Sequence, residues 1–197
     1  MTSNKHSDHI TPSRLQSDEN NPFVIGADVI TYLSGLKHPM IMVDRIISYN
    51  SDPLTLIAER YVSANESAFV GHFPNLRLWP GIYTLEGLRQ ACYLLHILHK
   101  LEEADLLKSL LELHKRQMLR PKINHKLCSS VIDYLKHNKT VDPDLFSIRI
   151  KLLEPVFAGS LIRYHSFRDN NDPNCFSVKA VVDERMIAKG EIIQVFN

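Results

Sequence analysis

The residues best suited to chemistry lie close together in Gly71-His72-Phe73-Pro74, followed after a short loop by Trp79-Pro80-Gly81 and then Glu86. A histidine on a constrained loop and a carboxylate just inside a helix make a candidate base and acid, because their ordinary pKa values bracket the working pH range. Pro80 suits a first helical position, where a missing N–H costs nothing. Gly81 lets a ligand approach the helix start, whose free N–H groups and positive dipole end attract developing negative charge. Base, acid and anion-stabilising donors therefore fall in one stretch.

These residues need a helix and a sheet to hold them. The apolar positions from Ile82 to Leu98 cover most of a helical circumference, which predicts a helix over about 81–101 enclosed by other structure. Its early polar residues, Glu86, Arg89 and Gln90, share one face. Before it, Val29, Ile30, Leu33 and Leu36 have the spacing of a short helix ending near Gly35. Strands are expected over 40–49 and 54–62, joined at Asn50-Ser51-Asp52-Pro53. After it, Phe146, Ile148, Ile150 and Leu152 alternate with polar residues as a half-buried strand should, and further strands are expected over 161–167, 175–182 and 186–196. Together these elements predict an α+β fold, an antiparallel sheet wrapped around one long helix. The Asp44-Arg45 pair is read as a charged interruption, held by strand pairing or by each other.

Composition excludes several classes. The chain has 197 residues, 44% of them hydrophobic, enough for a substantial core in one domain. A net charge of +1 argues against nucleic-acid binding through an overall field. Cys92, Cys128 and Cys175 are odd in number and widely spaced, so neither a disulfide framework nor a zinc site is indicated. His96, His99 and Glu103 lack a closed ligand set, and no metal is expected. No apolar run approaches the roughly 20 residues of a membrane span, and residues 1–22 lack the apolar core of a secretory signal, so they are read as a disordered tail on a cytoplasmic protein. Residues 23–197 form the expected domain, interrupted at about 102–144 by an extra helical insertion. Between Lys108 and Lys139 that insertion carries eight Lys or Arg residues against Glu112 and Asp133 alone. It reads either as a solvated helical face or as a docking surface for an acidic partner.

The string Pro39-Met40-Ile41-Met42-Val43-Asp44-Arg45, then Val62, Asn65-Glu66, Phe69, Gly71-His72-Phe73-Pro74, Pro80-Gly81, Leu85-Glu86 and Gln90, closely resembles the hot-dog-fold 3-hydroxyacyl-acyl-carrier-protein dehydratases of FabZ type. Pro155-Val156 with Gly159 is similar to that family's later strand junction. The resemblance implies that His72 is the catalytic histidine, Glu86 the catalytic carboxylate, and the backbone N–H groups of Gly81 and Ile82 the site for the thioester oxygen. Phe73, Trp79 and Tyr83 would line the acyl tunnel. It further implies dehydration of a 3-hydroxyacyl thioester to the trans-2-enoyl thioester, in fatty-acid or specialised polyketide or polyene synthesis. No permanently bound cofactor is implied, since the substrate arrives on the phosphopantetheine of an acyl carrier protein. The implied assembly is a homodimer or trimer of dimers, or a heteromer with a second dehydratase subunit, because each site takes its histidine from one protomer and its carboxylate from the other.

The chain departs from that family pattern at four places. Asn75 stands where glycine is usual, Trp79 and Tyr83 add bulk, and Arg89 replaces a small residue one turn after Glu86, where the two can pair. Two other readings remain open: a hot-dog acyl thioesterase using a carboxylate to activate water, and a non-catalytic subunit that binds the acyl carrier.

Overall fold

Alternating apolar and polar residues produce the strands, and a continuous apolar surface produces the helix they enclose. The computed structural model describes residues 14–16, 24–73, 75–115, 126–137, 146–169 and 171–196. The strands are β1 (Arg14–Gln16), β2 (Ile25–Gly26), β3 (Arg45–Ser51), β4 (Leu54–Tyr61), β5 (Phe146–Leu152), β6 (Leu161–Arg168), β7 (Cys175–Val182) and β8 (Arg185–Gln194). The helices are α1 (Ala27–Ser34), α2 (Gly81–Glu103), α3 (Leu107–Lys115) and α4 (Lys126–His137). Every strand pair is antiparallel, in the order β1-β3-β4-β6-β7-β8-β5, with β2 also on β3.

The sheet wraps around α2, as expected. From Gly87 to Leu98 every residue of this helix is buried, and Leu88, Leu94, Leu95 and Leu98 pack with Tyr49, Tyr164 and Phe176 in a core sealed from solvent. Gly87 is a point of closest approach: a Cβ there would lie 2.3 Å from the ring of Tyr164. Any larger residue would push the helix off β6.

Several boundaries differ from the sequence reading. The strand expected from Met40 starts only at Arg45, because the backbone before it bonds to a side chain: Gln90 Nε2 donates to the Met40 carbonyl and Met42 N–H donates to Gln90 Oε1. The last strand stops at Gln194, and Phe196 turns inward to stack on His96 at 3.8 Å. Residues 14–16, read as part of the disordered tail, instead form β1 along the edge of β3. The rest of that tail lies outside the described residues. Asp44 and Arg45 do not pair with each other: Asp44 takes Arg60, and Arg45 takes Glu59.

The expected insertion separates from α2 at a break rather than continuing it. Asp105 has φ of 55°, and Leu106 N–H reaches back to the Leu101 carbonyl, a left-handed helix ending. Leu107 and Leu110 on α3 and Val131 on α4 are buried in the same core as α2, and the Tyr134 hydroxyl donates to the Lys100 carbonyl. The insertion is thus part of the core and not only a solvated face. The basic residues Arg116 and Arg120, with the side chain of Lys115, lie outside the described residues.

Candidate functional site

The loop carrying His72 is held by backbone bonds before any side chain acts. A short 3₁₀ turn at Ser67–Val70 receives the His72 N–H on the Ala68 carbonyl, and Phe73 and Leu76 exchange both of their backbone bonds. On its far side Leu78 bridges to Phe157, and Trp79 N–H donates to the Val156 carbonyl. The loop is therefore tied to the connection between β5 and β6. The His72–Phe73 peptide is cis, and the two rings stack at 4.6 Å.

His72 Nδ1 lies 2.9 Å from the Leu78 carbonyl oxygen. A carbonyl only accepts, so Nδ1 carries a proton, and in the neutral form of the ring the lone pair lies on Nε2. The half-buried imidazole lines a pocket of about 280 Å³ with Trp79, Gly81, Thr84, Leu152 and Val156. Pro80 sits at the cap position rather than one residue inside the helix, and α2 begins at Gly81. The first helical turn leaves the N–H groups of Gly81 and Ile82 without an acceptor in the helix. A Cβ on Gly81 would lie 2.5 Å from Leu152 Cδ1, so this glycine also admits the end of β5.

Glu86 faces elsewhere. Its carboxylate accepts from Arg89 Nε at 2.7 Å, from Arg89 Nη2 at 2.7 Å and from Gln90 Nε2 at 2.8 Å. Arg89 is 5% exposed and its guanidinium lies 5.6 Å from the Phe146 ring centre on β5. Gln90 joins this carboxylate to the Met40 carbonyl, so both oxygens are fixed by groups that are themselves fixed. No hydrogen bond among the described residues joins His72 to Glu86. One pocket contains His72, Trp79 and Gly81, and Glu86 is not in its lining.

A family model for the FabA-like domain matches residues 36–154, more than half of the chain. The chain belongs to the FabA-like family. Among relatives, it is 40% identical over 68 residues to the 3-hydroxyacyl-[acyl-carrier-protein] dehydratase FabZ of Chlamydia muridarum, covering 34% of this chain and 44% of that one. With its counterpart in Chlamydia abortus it shares 35% over 89 residues, covering 43% and 58%. The chain thus spans about half the length of the curated relatives it matches. Among solved structures, a dehydratase heterocomplex from Xenorhabdus doucetiae aligns at TM-score 0.49 and 14% identity, over 84% of this chain and 90% of that one. Protein PH1136 from Pyrococcus horikoshii aligns at TM-score 0.44 and 10% identity, over 80% and 87%.

Within this FabA-like chain, whose sheet around α2 is the hot-dog fold, the other expected site residues divide. Trp79 is buried, edge-on to Phe69 and to Tyr83, with Arg60 over its ring at 5.7 Å. Phe73 and Ile82 instead project from the surface, 51% and 64% exposed. The sequence reading missed the Leu78 carbonyl, Thr84 and the β5 end as parts of the site, since a backbone acceptor has no residue signature and β5 is remote in sequence. Among the described residues no group of three or more His, Cys, Asp or Glu is placed to hold a metal ion. His96 lies against Phe196, and His99 faces Glu103 at 3.3 Å. No described helix is long and apolar enough to cross a membrane.

Proposed function

We propose that this chain dehydrates a 3-hydroxyacyl thioester, carried on the phosphopantetheine of an acyl carrier protein, to the trans-2-enoyl thioester. The observation that carries the reading is the bond from His72 to Leu78: it occupies Nδ1–H and leaves Nε2 as the nitrogen that can act as base, in a pocket that Gly81 at the start of α2 also lines. Nε2 takes the proton from C2 of the substrate. The C2–H electron pair becomes the C2=C3 bond as the C3–O bond breaks, and the departing hydroxide leaves as water with a proton returned by the imidazolium. Charge building on the thioester oxygen is met by the Gly81 and Ile82 N–H groups, which are oriented before the reaction begins. Glu86, paired with Arg89, accepts a hydrogen bond from the C3 hydroxyl and sets its direction.

His72 and Glu86 serve one reaction in this reading when two protomers combine. Among the described residues β5 is an edge strand, and Phe146 and Leu152 upon it are 51% and 50% exposed. An unpaired edge with half-exposed apolar side chains is suited to a second copy of the chain, as is the exposed Ile82 nearby. A homodimer joined there brings the histidine of one copy towards the carboxylate of the other.

The test is mass spectrometry of a carrier-bound 3-hydroxyacyl chain incubated with the purified protein. Loss of one water is expected. The Arg89 clamp also suits Glu86 to activating water, the thioesterase reading, and release of free carrier thiol with an intact hydroxy acid would replace the proposal with that one. An unchanged substrate that stays bound would make the protein a carrier-binding subunit.

A further inference from the structure

The outward face of the sheet, opposite the face that packs on α2, carries a feature the candidate site does not use. The register of four adjacent strands sets Lys151 of β5 opposite Lys189 of β8, Lys189 opposite Lys179 of β7, and Lys179 opposite His165 of β6. All three lysines are exposed. Residues directly opposite each other share a face, so four basic side chains form one row across the sheet. Like charges placed opposite one another destabilise a sheet, and a surface built only for solubility intersperses the two signs. Among the described residues none of the three lysines has an ion-pair partner; the nearby Glu191 faces Arg149 at 3.8 Å. The row's field is felt at its end, where burial first, then Lys179 and Arg163, lower the pKa of His165.

The row crosses a groove of about 1110 Å³ whose walls also include Ile57, Phe167, Ile150 and Met186. We propose that this groove docks an acidic amphipathic α-helix of a partner protein, lying across the strands with carboxylates at i, i+3 or i+4, and i+7 over Lys151, Lys189 and Lys179. Strands stand about 4.8 Å apart, and side chains three or four apart on a helix about 5–6 Å apart, a difference the lysine stems absorb. A helix with its side chains is about 10–12 Å across, which suits a groove. Past His165 the same row ends on Ile57, with Phe167 in the groove wall too, so the helix has these two apolar side chains to cover at the end of the row. A flat bilayer would meet the lysine tips without reaching that floor. A nucleic-acid duplex would offer it only phosphate and sugar.

The probe is a helical peptide with Glu at i, i+4 and i+7 on one side and Leu on the other, titrated against the full-length protein by fluorescence anisotropy at moderate salt. Binding to the native protein is expected, with affinity lowered about tenfold or more by combined Lys151→Glu, Lys179→Glu and Lys189→Glu and less by the three changes to Gln. Circular dichroism and a melting curve accompany each variant, and the Gln set carries the test if the Glu set does not fold. Equal affinity for a peptide with its glutamates scattered around the helix would overturn the proposal, as would undiminished binding by the Gln variant. Sedimentation with phosphatidylglycerol vesicles in preference to the peptide would overturn it too, in favour of a membrane surface.

Discussion

His72 and Glu86 owe their proposed roles to neighbours that remove their freedom. Replacing His72 with Ala should lower dehydration about 100-fold to 10,000-fold while circular dichroism stays unchanged, since a positioned base contributes on that scale. Glu86→Gln should lower it strongly too, because the single amide oxygen is taken by Arg89 and the NH2 turned to the substrate hydroxyl is a donor where an acceptor is needed. Arg89 separates positioning from bulk charge. Its two bonds to Glu86 come from Nε and Nη2, a planar fork that lysine lacks, so Arg89→Lys should lose most of the activity that Arg89→Ala loses. Recovery by lysine in a kcat assay would show that only the charge matters. The pairing of Glu86, Arg89 and Gln90 was legible because helical spacing puts them on one face. What spacing could not convey is that Gln90 also reaches the backbone of Met40 and Met42 ahead of β3, or that Leu78 orients the imidazole, since both depend on backbone groups brought near only by the fold.

At the scale of elements, α2 is the part most legible in the sequence, because a helix that is apolar all around must be enclosed by the rest of the fold. Its ends were less legible. The Asp105 break is a backbone conformation that any polar residue near a helix end could adopt, and β1 is too short to show alternation. Packing against Tyr164 makes Gly87→Ala a test of the helix–sheet contact. The clash should cost about 1–3 kcal/mol, partly offset by the roughly 1 kcal/mol better helix propensity of alanine, and thermal melting should fall by up to a few degrees. The far end of α2 contributes a pH dependence. Burial first, then Lys100, lower the His96 pKa from 6.5 to about 4. The unfolded chain therefore binds a proton that the native one refuses, so stability is full above pH 6.5 and declines as pH falls towards 4. Denaturant midpoints at pH 7 and pH 5 should differ more for the native protein than for His96→Leu. Equal differences would show that His96 is not the group responsible.

For the whole molecule, the exposed edge of β5 and the separation of His72 from Glu86 lead to one expectation. Mixing His72→Ala with Glu86→Gln subunits, each inactive alone, should restore part of the activity through mixed dimers holding one intact site. Demonstrated subunit exchange without recovery would count against a shared site. Phe146→Glu should leave a folded monomer by sedimentation, with little dehydration. The hot-dog architecture was legible in the strand alternation and the His-Phe-Pro motif. Which strand would be the edge was not, because edge position follows from pairing order rather than from any one strand's composition. The backbone ties from Leu78 and Trp79 to Phe157 and Val156 give that edge a further meaning. The loop of His72 hangs from the segment that leaves β5, so whatever steadies one steadies the other. By reciprocal linkage, a substrate analogue lodged against His72 should tighten subunit association by the same factor that association tightens the analogue. Dilution would then reveal occupancy, with saturated protein staying paired at concentrations where empty protein separates.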